Sequence, residues 1–310
     1  MYCVSFPKIR TFKKENTLLN ADQLYQFNTF GFVVMKNVFS QEEMKVIQRE
    51  FDTKAAEASS YENFTGLKTQ NFNMMGSTTP FYASLLEDPR FLDAAKQMYG
   101  EVLAHGADAN RYVGNTYWHY DAGSYEGSGV KFAIYLQPVD ANTGALRVIP
   151  GSHKRPWFDD LDKKPPLRYA WVRLNNDQAE DTKVIESIPS FVCKSTPGDV
   201  VAFDMRIYHA SVGGSSDRQH CTLVYRNYPK TPQEVAATIF EAEGFMTERD
   251  NSSTPWNPKK RAPDEWLDNP SNNSARQFWI DEWMKFSNMT DGKNGYKTVA
   301  IDGKIKVVEA

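Results

Sequence analysis

What this chain has least of narrows its class. Its 310 residues contain three cysteines, Cys3, Cys193 and Cys221, odd in number, widely separated and without a Cys-x-x-Cys pair. Neither a disulfide framework nor a structural zinc knuckle is indicated. No apolar run approaches the length of a membrane span, and the opening residues lack the apolar stretch of a secretory signal. The expected setting is therefore intracellular, reducing and cytoplasmic, and the sequons at Asn63, Asn251, Asn272 and Asn288 are read as chance. Charge of one sign is lacking too. Lys and Arg number 36 against 39 Asp and Glu, a net charge of −3, which gives no electrostatic basis for nucleic acid or an anionic membrane as partner.

What remains is the composition of a globular protein, 41% hydrophobic and rich in aromatics at 13%, long enough to bury a sizeable core. To about residue 101 the chain reads as mostly helical. Asn20-Ala-Asp-Gln opens one helix. Ser40 with Glu43 forms a capping box ahead of a buried stripe at Met44, Val46, Ile47 and Phe51, and Asp88 opens a helix that Gly100 closes. Between the first two lies a short β-rich run, Gly31-Phe-Val-Val-Met. From about 102 to 228 the texture changes to short β-rich runs: Val130-Lys-Phe-Ala-Ile-Tyr-Leu, Ala145-Leu-Arg-Val-Ile, Phe191-Val-Cys-Lys, Val200-Val-Ala-Phe and His220-Cys-Thr-Leu-Val-Tyr. Turn signals at Asn142-Thr-Gly, Pro150-Gly, Thr196-Pro-Gly-Asp and Gly213-Gly-Ser-Ser separate them. Strands without intervening helices predict an antiparallel sandwich or jelly roll rather than a βαβ fold. Residues 154–189 read as a polar insertion, 251–273 as a loop, and the rest of the tail after Tyr228 as helical, with Trp279 and Trp283 on a buried helix face.

Of only five histidines, two stand in contexts that suit a metal. Trp118-His119-Tyr120-Asp121 places an imidazole and a carboxylate two apart, on the same face if the segment is a strand. Downstream, Pro197-Gly-Asp-Val feeds an apolar strand whose end presents His209. Two histidines and one carboxylate form the facial triad of non-haem Fe(II) oxygenases, which leaves coordination positions open. Taken alone, His-x-Asp is a weak signal, and a surface or core histidine is the bland alternative.

The surrounding motifs add to it. Gly31-Phe-Val-Val-Met with Phe39-Ser-Gln-Glu-Glu, then Trp118-His119-Tyr120-Asp121, Ala141-Asn-Thr-Gly-Ala-Leu-Arg-Val-Ile-Pro-Gly-Ser-His153, Pro197-Gly-Asp-Val…His209 and Arg218 occur in an order that resembles the phytanoyl-CoA dioxygenase family over roughly residues 20–228. The resemblance implies a mainly β fold with flanking helices around a double-stranded β-helix (jelly-roll, cupin-like) core. It implies an enzyme using Fe(II), 2-oxoglutarate and O2 on a small-molecule substrate. One domain is expected over 1–310, with a helical part to about 101, the jelly-roll core over about 102–228 and a helical extension over about 229–310. His119, Asp121 and His209 fall on the metal ligands. Arg218 falls on the residue that binds the distal carboxylate of 2-oxoglutarate, a role its planar, permanently charged guanidinium suits; the bland alternative is a solvated loop residue beside Asp217.

Tyr135 falls where the family often has an aromatic lining the co-substrate pocket. His220, two past Arg218, stands where a small polar residue is usual, which puts its contact in doubt. Thr116, Asn110 and Lys68 are further candidates for the co-substrate. His153 is read as part of a structural turn, and His105 as a core histidine. The implied reaction is oxidation of an unactivated C–H bond, with hydroxylation the default and desaturation or oxidative ring closure of an amino-acid-derived precursor the alternatives. Related halogenases replace the carboxylate by a small residue, so Asp121 argues against halogenation. Two readings of other classes stay open: a non-enzymatic metal- or ligand-binding jelly roll, against which Arg218 argues, and a zinc-dependent hydrolase.

Overall fold

In the computed structural model the described residues are 19–62, 70–112, 114–164, 167, 178–214, 218–246, 261–268, 274–301 and 304–310. The chain opens with α1 (Ala21–Phe30), held at its start by a reciprocal Asn20–Gln23 capping box and ended by Gly31 at φ 83°. Strand β1 (Phe32–Met35) follows. Next is α2 (Gln41–Glu62), where the Ser40 hydroxyl accepts from the Glu43 N–H and the Glu43 carboxylate from the Ser40 N–H. Strand β2 (Gln70–Asn73), the short α3 (Pro80–Ser84) and α4 (Pro89–Tyr99), capped by Asp88, complete the N-terminal part.

Eight strands then form most of two sheets: β3 (Val102–Tyr112), β4 (Thr116–His119), β5 (Gly129–Tyr135), β6 (Leu146–Val148), β7 (Phe191–Val192), β8 (Val200–Asp204), β9 (His209–Ser211) and β10 (Arg218–Asn227). The larger sheet runs β1-β8-β5-β10-β3-β2 and the smaller β4-β9-β6-β7, with all pairs antiparallel. This is the jelly roll expected from the sequence. No described helix is long and apolar enough to cross a membrane.

Alternation along the central strands explains where the core and the site lie. On β5, Val130, Phe132 and Ile134 belong to the core shared with the helices, whereas Ala133 and Tyr135 belong to the core between the sheets. On β10, Cys221, Leu223 and Tyr225 face the helices, and His220 and Thr222 line a cavity on the other side. Helix α9 (Ser274–Ser287) seals the helix-side core. Its Trp279 and Trp283 are fully buried and donate their indole N–H groups to the Val102 and Ala104 carbonyls. Both are a buried helix face, as the four-residue spacing predicted. Cys193 and Cys221 are buried free thiols.

Several expectations need correction. In the N-terminal part the β-rich run at Gly31–Met35 is β1, as expected, whereas β2, the other edge of the larger sheet, was not foreseen. The polar stretch 154–189 contains α5 (Trp157–Asp162) and α6 (Gln178–Glu186), and Phe158, Leu161 and Ile185 are buried in a cluster with Trp118 and Tyr208. A few well-spaced apolar residues were enough to anchor an otherwise polar segment. The C-terminal extension is not all helix. After α7 (Pro232–Met246), the short α8 (Asp264–Asp268) lies inside the stretch read as a loop, and the chain ends in the hairpin β11 (Tyr296–Ile301) and β12 (Lys304–Glu309). Lys68 and the sequons at Asn63, Asn251 and Asn272 lie outside the described residues.

Candidate active site

The two sheets enclose a cavity of about 90 Å³ lined by His119, Asp121, His209, Arg218, Tyr135, Thr116, His220 and Asn110 among others. By the same measure one water needs roughly 10–15 Å³, so the cavity has room for a small organic acid. Every candidate named from the sequence and described here, apart from the structural His105 and His153, reaches this one space.

His119 ends β4 and pairs in register with His209, which opens β9. The imidazole centroids are 4.1 Å apart. Asp121 is not on the strand with His119, as the two-residue spacing suggested, but two residues past its end. It is fixed there by its backbone N–H bond to the Met205 carbonyl at 2.7 Å. Arg226 helps hold the loop that follows, donating to the Ala122 carbonyl at 3.1 Å. His209 does not end the apolar strand either. Strand β8 stops at Asp204, the chain turns through 205–208, and His209 begins a strand of the other sheet. That turn carries the chain from one sheet to the other and so brings His209 opposite His119.

The ligand atoms of His119, Asp121 and His209 all lie within 4.8 Å of one another. Each histidine is anchored through Nδ1 to a backbone carbonyl two residues back, His119 to Tyr117 at 2.8 Å and His209 to Ile207 at 3.0 Å. A carbonyl can only accept, so each Nδ1 carries a hydrogen and each Nε2 is the ring nitrogen turned towards Asp121. Those Nε2 atoms stand 3.6 Å from Asp121 Oδ1 and Oδ2 respectively. Burial pushes the His209 pKa down to about 3, with His119 adding to the shift, so the ring is neutral at working pH as a metal ligand must be. Burial alone would raise the Asp121 pKa, but Lys131, His209 and His119 more than offset it and keep the carboxylate ionised. Two imidazoles and one ionised carboxylate with space in front of them fit a divalent iron centre.

Arg218 begins β10 and is 3% exposed, not a solvated loop residue. Its Nη1 donates to the Gly144 carbonyl at 2.9 Å and the Ser211 hydroxyl at 2.8 Å, and its Nη2 to the Thr116 hydroxyl at 3.3 Å. The guanidinium lies 5.0 Å from the Tyr112 ring centroid. Among the described residues no carboxylate comes within ion-pair distance of it, and its Nε has no hydrogen-bond partner. A buried cation held only by neutral groups is costly unless an anion completes it.

The Tyr135 ring is 5.6 Å from His220, and burial raises its phenol pKa to about 12. His220 lies between the Tyr135 and Tyr112 rings, with Nε2 3.4 Å from the Asn110 amide. It is not part of the metal group. His153 is buried behind Gly31 with its pKa pushed down to about 4, chiefly by burial, and His105 packs on Phe245 and Trp283.

Four further site residues were missed: Ser211, Tyr112, Lys131 and Gly144. Lys131 could have been found, since a lone lysine inside Val130-Lys-Phe-Ala-Ile-Tyr stands out on an otherwise apolar strand. Gly144, at φ 91°, lies so close to Arg218 that an added Cβ would meet Nη1 at 2.2 Å. Gly144→Ala is therefore expected to displace the guanidinium and destabilise the protein by on the order of 1–3 kcal/mol. A thermal melt matching the wild type would contradict that close contact.

The model of the phytanoyl-CoA dioxygenase family matches residues 27–220, more than half of the chain. The chain belongs to this family. Membership makes it an Fe(II)- and 2-oxoglutarate-dependent dioxygenase, as its motifs had suggested. The chain is similar to the ectoine dioxygenase of Bordetella bronchiseptica, 26% identical over 238 residues that cover 69% of this chain and 77% of the relative. Among solved structures it resembles EctD from S. alaskensis with 2-oxoglutarate and 5-hydroxyectoine, with a TM-score of 0.52, 20% identity and coverage of 73% and 83%. It also resembles the carbocyclase SnoK from nogalamycin biosynthesis, with a TM-score of 0.50, 19% identity and coverage of 68% and 86%. Both structural likenesses show a shared fold.

Proposed function

We propose that one catalytic domain spans this chain and hydroxylates an unactivated C–H bond of a small molecule, with His119, Asp121 and His209 holding Fe(II) and Arg218 anchoring 2-oxoglutarate. The single observation that carries the reading is Arg218, a buried guanidinium in the same cavity as the triad with no carboxylate among the described residues at ion-pair distance. A metal store or a zinc hydrolase has no use for that cation. A five-carbon dicarboxylate does, because one end can chelate the metal while the other meets the guanidinium fork. When bound, the iron with 2-oxoglutarate and O2 supplies an oxidant able to attack an unactivated C–H bond, the co-substrate leaving as succinate and CO2.

The residues of the chain do the positioning. The backbone-anchored histidines and Asp121 would hold the metal, with the cavity in front of them for the co-substrate. Ser211, Thr116 and the Gly144 carbonyl hold the Arg218 side chain in place, and Tyr112 covers it. Tyr135, Ala133 and Phe203 give the cavity apolar walls, which limit water near the reacting centre.

The relatives named ectoine dioxygenases suggest a compact, amino-acid-derived substrate, with ectoine the first to try. The test is to incubate the protein aerobically with Fe(II), 2-oxoglutarate and a panel led by ectoine. Succinate is expected in step with substrate loss, with a product heavier by one oxygen atom. A product lighter by two hydrogens would replace hydroxylation by desaturation or ring closure. No succinate above the metal-free control with any member of the panel would count against the proposal.

A further inference from the structure

Lys131 is the one charged residue among the described cavity lining that neither the triad nor the co-substrate anchor uses. It lies on β5, opposite Phe203 on β8 and Val224 on β10, and lines the cavity with Ala133 and Tyr135. Its ammonium is 2.9 Å from Asp121 Oδ2. Two guanidinium groups that also feel the Asp121 charge are committed elsewhere, Arg226 to Glu241 at 2.9 Å and Arg261 to Asp108 at 2.6 Å. Among the described residues Lys131 is therefore the Lys or Arg whose side chain touches that of Asp121.

That contact bears on coordination number. A carboxylate can give a metal one oxygen or both, and a second oxygen would occupy a position that the co-substrate or O2 needs. An ammonium has three donors and no lone pair, so it binds a carboxylate oxygen without competing for the metal. We infer that Lys131 is a positioning residue that keeps hold of Asp121 Oδ2, so that Asp121 ligates the metal through Oδ1 alone. The histidines do not tell the two oxygens apart, since Oδ1 stands 3.6 Å from His119 Nε2 and Oδ2 3.6 Å from His209 Nε2; the Lys131 contact to Oδ2 does. Outer partners of this kind fix the orientation of a ligand, and their loss typically costs on the order of 10–100-fold in metal affinity. The inference rests on the proposed placement of the metal at the triad.

The test uses Co(II), without 2-oxoglutarate, on the full chain, followed by titration and by visible d–d absorption. Lys131→Met is expected to weaken Co(II) binding by roughly tenfold or more and to change the absorption, while Lys131→Arg, which restores a charged donor, recovers most of both. The sign is diagnostic. If Lys131 were only a nearby positive charge, its removal would relieve repulsion and tighten Co(II) binding, and that result would overturn the inference. Unchanged affinity and absorption in folded Lys131→Met would overturn it as well. Should that variant fail to fold, Lys131→Ser, small and polar, carries the same expectation. If His119→Ala leaves Co(II) binding intact, the metal placement itself fails and this inference with it. A failure confined to the Lys131 variants leaves the placement standing.

Discussion

Asp121→Ala is expected to abolish 2-oxoglutarate turnover while leaving the fold in place. The substitution removes the only anionic ligand of the proposed centre and leaves the Lys131 ammonium facing two imidazoles. A divalent cation there loses a charge–charge attraction in a partly desolvated site and meets an uncompensated positive neighbour instead. The fall should be at least about 100-fold, since losing merely an outer partner of a metal ligand costs 10–100-fold. The fold should survive because Asp121 lies past the end of β4, where the Asp121 N–H to Met205 bond and the Arg226 bond to the Ala122 carbonyl are made by backbone atoms that alanine keeps. Succinate release, read beside the circular dichroism of the variant, checks this. Turnover within a few fold of wild type would remove Asp121 from the metal.

Arg218→Ala should act on a different quantity. The guanidinium is proposed to bind the far end of the co-substrate, so its loss raises the 2-oxoglutarate concentration needed for turnover more than it lowers the rate at saturation. Truncating one partner of a buried, hydrogen-bonded charge pair costs about 2–5 kcal/mol, or roughly 30- to several-thousand-fold in affinity. Part of that is structural, because Ser211 and the Gly144 carbonyl lose their donor. Arg218→Lys separates the contributions. It keeps the charge but loses the fork, so it should fall between wild type and alanine. The check is the dependence of succinate formation on 2-oxoglutarate, and an unchanged requirement in Arg218→Ala would refute the anchor.

Much of this site was legible before the fold was. The jelly roll follows from turn residues that punctuate short β-rich runs without intervening helices, and the runs at 130–136, 145–149, 191–194, 200–203 and 220–225 all contain strands. The metal group was legible because its chemistry needs particular residue types in a chain with few histidines. Its geometry was not. Two-residue spacing suggested a shared strand face for His119 and Asp121, yet backbone and side-chain anchors outside β4 place the carboxylate. Likewise no local pattern shows that the chain changes sheets between Asp204 and His209.

Ser211 and Tyr112 were missed because their roles come from cross-strand neighbours, and register is a tertiary property. Strand β2 has only four residues, Gln70-Asn-Phe-Asn, and little β propensity, so pairing with β3 rather than composition makes it a strand. The terminal hairpin is mostly half-buried or exposed, and its alternation was too weak to set it apart from the helical tail.

The most direct test of the central claim is an anaerobic titration of the Fe(II)-loaded protein with 2-oxoglutarate, followed by visible absorption. If His119, Asp121 and His209 hold the iron and Arg218 anchors the co-substrate, a saturable charge-transfer band appears. It should be absent in Asp121→Ala and need far more 2-oxoglutarate in Arg218→Ala. A wild-type protein that binds Fe(II) but develops no such band, or a band that survives unchanged in Asp121→Ala, would contradict the account.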